Sequence, residues 1–211
     1  MKRYTSFGLL ALLLAVTPIL ASCAGAGSGG SEQGSSESKE DTQSMDHGEV
    51  GSEMLMENGE YSDERFIDAM VPHHQGAIDM AEVALERAEH PELRQLAENV
   101  IVDQEAEIEE LRSIKEQEFG DPEVPPEMSS EEMEMMGTMQ DPRELEREEP
   151  FDQAFIDAMI PHHESAISMA EVANEESDNP RIQNLAQRII EAQESEIEQM
   201  TEWREEWYPG S

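Results

Sequence analysis

His73 and His74 stand side by side at the end of the run Phe66-Ile67-Asp68-Ala69-Met70-Val71-Pro72-His73-His74, and the run returns as Phe155-Ile156-Asp157-Ala158-Met159-Ile160-Pro161-His162-His163. Met70 lies three residues before the first histidine and Met80 seven after it, with Met159 and Met169 at the same places in the second copy. Imidazole nitrogen takes copper, zinc or iron, whereas thioether sulfur is soft and selects Cu(I) or Ag(I). The residue types therefore predict a metal site with Met70, His73, His74, Met80, Met159, His162, His163 and Met169 as ligands, with Cu(I) favoured and Ag(I) admitted. The competing reading makes the histidines hydrogen-bonded core residues and the methionines apolar filler.

The elements that must position these side chains follow from the repeat. At the same offset of 89 residues (Phe66 to Phe155), Met80-Ala81-Glu82-Val83-Ala84 matches Met169-Ala170-Glu171-Val172-Ala173, Pro91 matches Pro180, and Gln104-Glu105 matches Gln193-Glu194. An ungapped match of this kind marks a duplicated unit. Each unit reads as two helices, from about Ser62 to Ala88 and Pro91 to Glu118, then from about Phe151 to Ser177 and Pro180 to Trp207. Ser62 ahead of acidic residues suits a helix start, and Pro91 and Pro180 suit a first turn. Leu93, Ala97, Val100, Ile108 and Leu111, like Ile182, Ala186, Ile189, Ile197 and Met200, form stripes at three- and four-residue steps, each interrupted by Gln104 or Gln193. One hairpin cannot bury its stripes alone. Two hairpins joined by a long crossover predict an all-α, ferritin-like four-helix bundle.

On the first helix Phe66, Met70, His73, Ala77, Met80 and Ala84 share a face, and Ile67, His74, Ile78, Ala81 and Leu85 form the adjoining one, so both histidines flank the apolar seam. Pro72 and Pro161 lie inside the helical pattern; each either kinks the helix and turns the pair toward one point, or marks a place where the helix restarts. Gln104 and Gln193 need partners if buried. They are expected to face the histidines of their own unit and orient their rings behind the metal, with Glu105 or Glu194 near, or else to form an interhelical hydrogen bond without metal.

The doubled Phe-Ile-Asp-x-Met-x-Pro-His-His motif, followed by Ala-Ile-x-Met-Ala at 77–81 and 166–170, resembles the CopM-type bacterial family, long catalogued as a domain of unknown function. The resemblance spans both repeats. It implies a helical, ferritin-like extracytoplasmic protein that binds copper through Met and His and supports copper resistance, with the eight residues named above as the matching ligands. His90 has Asn179 as its counterpart and is read instead as a charge at a helix end.

The chain has 211 residues and a formal charge of -37, with 50 Asp and Glu against 13 Lys and Arg. Nucleic-acid binding is excluded as an expectation, since phosphate contacts need clustered cationic side chains. The negative field gathers cations. Lys2 and Arg3 precede an apolar run from Phe7 to Val16 that reads as an export signal, and Leu20-Ala21-Ser22-Cys23 resembles the bacterial lipobox, in which the cysteine is acylated. The expected organisation is a signal peptide at 1–22, a flexible Gly/Ser-rich acidic tether at 23–60, and a bundle at 61–211, made of repeat 1 (61–118), crossover (119–150) and repeat 2 (151–208). Lipidation at Cys23 places the protein outside the cytoplasmic membrane, anchored to it. Met45, His47, Met54 and Met56 in the tether, and Met128, Met133, Met135, Met136 and Met139 in the crossover, are expected either to capture further copper or, in the crossover, to cap the bundle as a short amphipathic helix. Trp203, Trp207 and Tyr208 are read as packing at the end of the bundle.

The function these features predict is a non-enzymatic copper-binding protein, either a buffer that stores the ion or a chaperone that delivers it to a copper-accepting protein. A metal-free scaffold is one alternative. A ferritin-like di-iron oxidase is another, but it needs Glu three residues before a ligating His, and Met70, Val71, Met159 and Ile160 stand there.

Overall fold

Ser62 opens the first long helix as expected, its hydroxyl accepting from the backbone N–H of Arg65 at 3.4 Å. The computed structural model of the protein describes residues 54–125 and 142–210. A small hairpin, β1 (Met56–Glu57) and β2 (Glu60–Tyr61), leads into α1 (Asp63–Arg87) and α2 (Pro91–Phe119); a one-turn α3 (Pro142–Leu145) precedes α4 (Phe151–Glu176) and α5 (Pro180–Trp207). The long helices match the predicted spans to within about two residues. Pro91 and Pro180 occupy first-turn positions, where a missing N–H costs nothing. Gly120, at φ 78°, supplies the left-handed residue that stops α2.

α1 packs against α2 and α4 against α5, and the two hairpins meet chiefly along α1 and α4. The result is the all-α four-helix bundle with a long crossover that the repeat predicts. Both α1 and α4 run without a break through Pro72 and Pro161, so the helices do not restart there. The equivalence of the hairpins extends to their ion pairs: Lys115 reaches Asp68 at 2.5 Å, and Arg204, at the matching place, reaches Asp157 at 2.6 Å.

Two expectations need correction. The folded part begins before residue 61, because Leu55 is fully buried in the core and its carbonyl accepts from Ser62 N–H at 3.0 Å. Asn58 and Gly59, both at positive φ, close the two-residue turn that pairs Met56 with Tyr61. Met54 is therefore packed against the core and Met56 lies in β1, neither in a free tether. His90, secondly, is no bare charge at a helix end. It donates from Nδ1 to the fully buried carboxylate of Asp152 at 2.6 Å and stacks on Trp207, which in turn stacks on Trp203. Asp152 also accepts the N–H groups of Glu89 and His90, so the turn of one hairpin is fastened to the start of the other. Cys23, Met45, His47 and the methionines from Met128 to Met139 lie outside the described residues.

Candidate metal centre

The proline-bearing turns of α1 and α4 bring the four histidines to the middle of the bundle, where His73, His74, His162 and His163 are all fully buried. His73 and His162 face each other across the boundary between the repeats, with ring centroids 3.8 Å apart and planes at 42°. His74 lies 6.4 Å from His73, and His163 lies 6.3 Å from His162, centroid to centroid. The pairs thus meet as one central group.

The methionines flank this group in a crossed pattern. Met70 shares a core cluster with Met169, and Met80 shares the other cluster with Met159, all four buried. Of these four methionines, each cluster takes one from each repeat. This is what two helices running past one another about a common centre produce, since three residues before one histidine then falls level with seven after the other.

The ring partners differ from the expected ones. His73 Nε2 lies 2.8 Å from the hydroxyl of Ser165, and that hydroxyl donates to the carbonyl of His162, also at 2.8 Å. His163 Nε2 bonds Glu196 at 2.7 Å. His74 Nε2 lies 2.9 Å from the carboxylate of Glu107, close enough for an ion pair but off the line of a hydrogen bond. Gln104 and Gln193 are buried as predicted, yet their side-chain oxygens meet no protein donor, and neither glutamine is hydrogen-bonded to a histidine. The carboxylates beside the rings are Glu107 and Glu196, not Glu105 and Glu194. A signal for them was present: each follows its glutamine by three residues, at the same place in both repeats.

His73 Nδ1, His74 Nδ1, His163 Nδ1 and both nitrogens of His162 are buried with no partner. Burial holds His73 and His162 well below the usual histidine range, and the neighbouring histidines push in the same direction. Both rings are therefore neutral, the state a metal ligand needs. Among the described residues no three His, Cys, Asp or Glu side chains are placed to hold one ion. A site completed by thioethers does not require such a trio. The donor set fits a soft ion.

A family model described as a domain of unknown function, DUF305, matches residues 19–115 and 63–204 of this chain. Among solved structures, CopM in the Cu(II)-bound form is 43% identical, with a TM-score of 0.66, over 71% of this chain and 99% of that one. CopM in the Cu(I)-bound form is 42% identical over the same shares, with a TM-score of 0.63. An uncharacterised protein of Acanthamoeba polyphaga mimivirus is 38% identical over 52 residues, which is 25% of this chain and about a third (34%) of that protein's length.

Proposed function

This chain belongs to the DUF305 family, and we propose that it is an extracytoplasmic lipoprotein that binds copper, Cu(I) in preference, as a buffer or chaperone and not as an enzyme. The observation that carries the reading is the set of buried imidazole nitrogens without partners, gathered at the meeting of the repeats between two pairs of methionines. An unsatisfied buried polar atom costs about 1–3 kcal/mol, so a bundle built only for packing gains nothing from gathering them in this way. A soft cation relieves that cost. The forms in which CopM has been solved, Cu(I)-bound, Cu(II)-bound and Ag-bound, support the choice of metal.

His73, His74, His162 and His163 would supply nitrogen, and Met70, Met80, Met159 and Met169 sulfur. The lipobox-like Leu20-Ala21-Ser22-Cys23 supports a lipid anchor outside the cytoplasmic membrane, and the net charge of -37 supports cation collection there. The test is a titration of the metal-free chain with Cu(I) under reducing conditions and, separately, with Zn(II). Tight, saturable Cu(I) uptake with much weaker Zn(II) uptake is expected. Equal affinity for the two ions would make the thioethers core filler and end the soft-metal reading.

A further inference from the structure

We propose that Ser165, Glu107 and Glu196 fix the tautomers of His73, His74 and His163, so that each of these rings meets copper with the bare lone pair of Nδ1. The proposal rests on the reading of the four imidazoles as copper ligands and adds which atom of each ring is used and what holds it ready.

The tautomer of His73 follows from counting protons. The hydroxyl of Ser165 has one hydrogen, and it goes to the carbonyl of His162 at 2.8 Å. In its 2.8 Å contact with His73 Nε2 that oxygen can only accept, so Nε2 carries the ring proton. At His163 the partner of Nε2 is the carboxylate of Glu196, again an acceptor. His74 and Glu107 stand at the equivalent places of the first repeat, 2.9 Å apart. On all three rings Nδ1 is buried without a partner, so a second proton there would be a donor with nowhere to go. His73 and His163 therefore carry the proton on Nε2, facing their acceptors, and the carboxylate of Glu107 beside Nε2 favours the same tautomer for His74. A histidine that ligates a metal through one nitrogen and gives the other N–H to a carboxylate is oriented and made more basic by that partner.

The fourth ring is treated differently. Gly76 occupies in the first repeat the place that Ser165 occupies in the second, and His162 has no partner at either nitrogen. The two halves of the centre are unequal by one hydroxyl: His73 is locked, and His162 is free to present either nitrogen. Glu107 and Glu196 are positioning residues, 14% and 12% exposed, each bridging solvent and a fully buried ring.

Long-range proton–nitrogen correlation spectra of the metal-free full chain, labelled at histidine nitrogen, read these tautomers directly. At neutral pH the expected spectra show the proton on Nε2 and a bare Nδ1 for His73, His74 and His163. Adding Cu(I), which is diamagnetic, should then shift the Nδ1 signals of these rings and leave their Nε2 protons in place. Glu196→Leu should release the ring of His163 to exchange between tautomers and weaken Cu(I) about tenfold, whereas Glu196→Gln, which keeps an accepting oxygen, should restore both. Thermal melts confirm that each variant is folded. A proton on Nδ1 of His73 or His163 in the metal-free chain, copper on Nε2, or a Glu196→Leu chain with unchanged tautomer and affinity overturns the proposal. If the parent chain takes up no Cu(I), the reading of the site itself falls, and the metal-free spectra show separately whether the tautomers are as stated.

Discussion

His73 of the first hairpin and His162 of the second lie ring to ring, 3.8 Å between centroids, with no exposed surface on either. Their contact brings the two histidine pairs, which the sequence presents as equal halves, into one group.

Replacing His73 and His74 by Ala should therefore remove far more than half of the tight copper capacity, although the second repeat keeps all its own side chains. Stoichiometry by metal analysis after buffer exchange decides this. A clean loss of half, with the remaining half at parental affinity, would return each site to its own hairpin.

Changing Met70, Met80, Met159 and Met169 together to Leu preserves size and apolarity in both core clusters. The cost should stay below about 1.5 kcal/mol per site. Cu(I) affinity should drop while Zn(II) affinity hardly moves, as competition with a chromogenic chelator for each ion would reveal.

Acid should destabilise the metal-free bundle through His73 and His162. Their folded pKa values lie well below the ordinary value of about 6.5, because of burial and then the neighbouring rings. Above that value both rings are neutral in either state and their contribution to stability is intact. As pH falls below it the unfolded chain gains protons that the folded one cannot, and stability drops by up to ~1.4 kcal/mol per pH unit for each ring until the folded values are reached. Melting temperatures of the metal-free chain between neutral pH and mild acid should fall accordingly. A chain with His73→Leu and His162→Leu should give a flatter profile.

Replacing Cys23 by Ser should move the protein from the membrane fraction to the soluble one without changing its helical spectrum, since the acyl chain is the anchor proposed. Retention of the substituted chain in washed membranes would count against lipidation.

Periodicity made the helices readable, because Leu93, Val100, Ile108 and their copies alternate at helical steps over four turns and prolines mark both second-helix starts. The buried histidines and methionines were readable for the same reason, since they fall on the apolar face. Periodicity is silent on which face meets which, so the crossing of Met70 with Met169 and of His73 with His162 came only with the packing. The ring partners were hidden in another way. Gln104 and Gln193 drew attention by interrupting an apolar stripe, whereas Glu107 and Glu196 sit at its edge, where a glutamate passes for a solvated charge. Ser165 has no copy at position 76, so the repeat itself argued against noticing it. Leu55 was missed because its surroundings are polar, although Asn58-Gly59 spells a hairpin turn.

The crossed methionine clusters have a consequence for how such a centre comes into being. A lone hairpin owns half of each cluster and one side of the ring contact, so it is complete only when it finds another, and its occupancy would then follow protein concentration as in any obligate dimer. Joining the halves through one crossover makes that encounter intramolecular, with an effective concentration set by the linker. Dilution into a large compartment then leaves these contacts assembled, and a single molecule far from any copy of itself still holds the histidines and methionines of both repeats together.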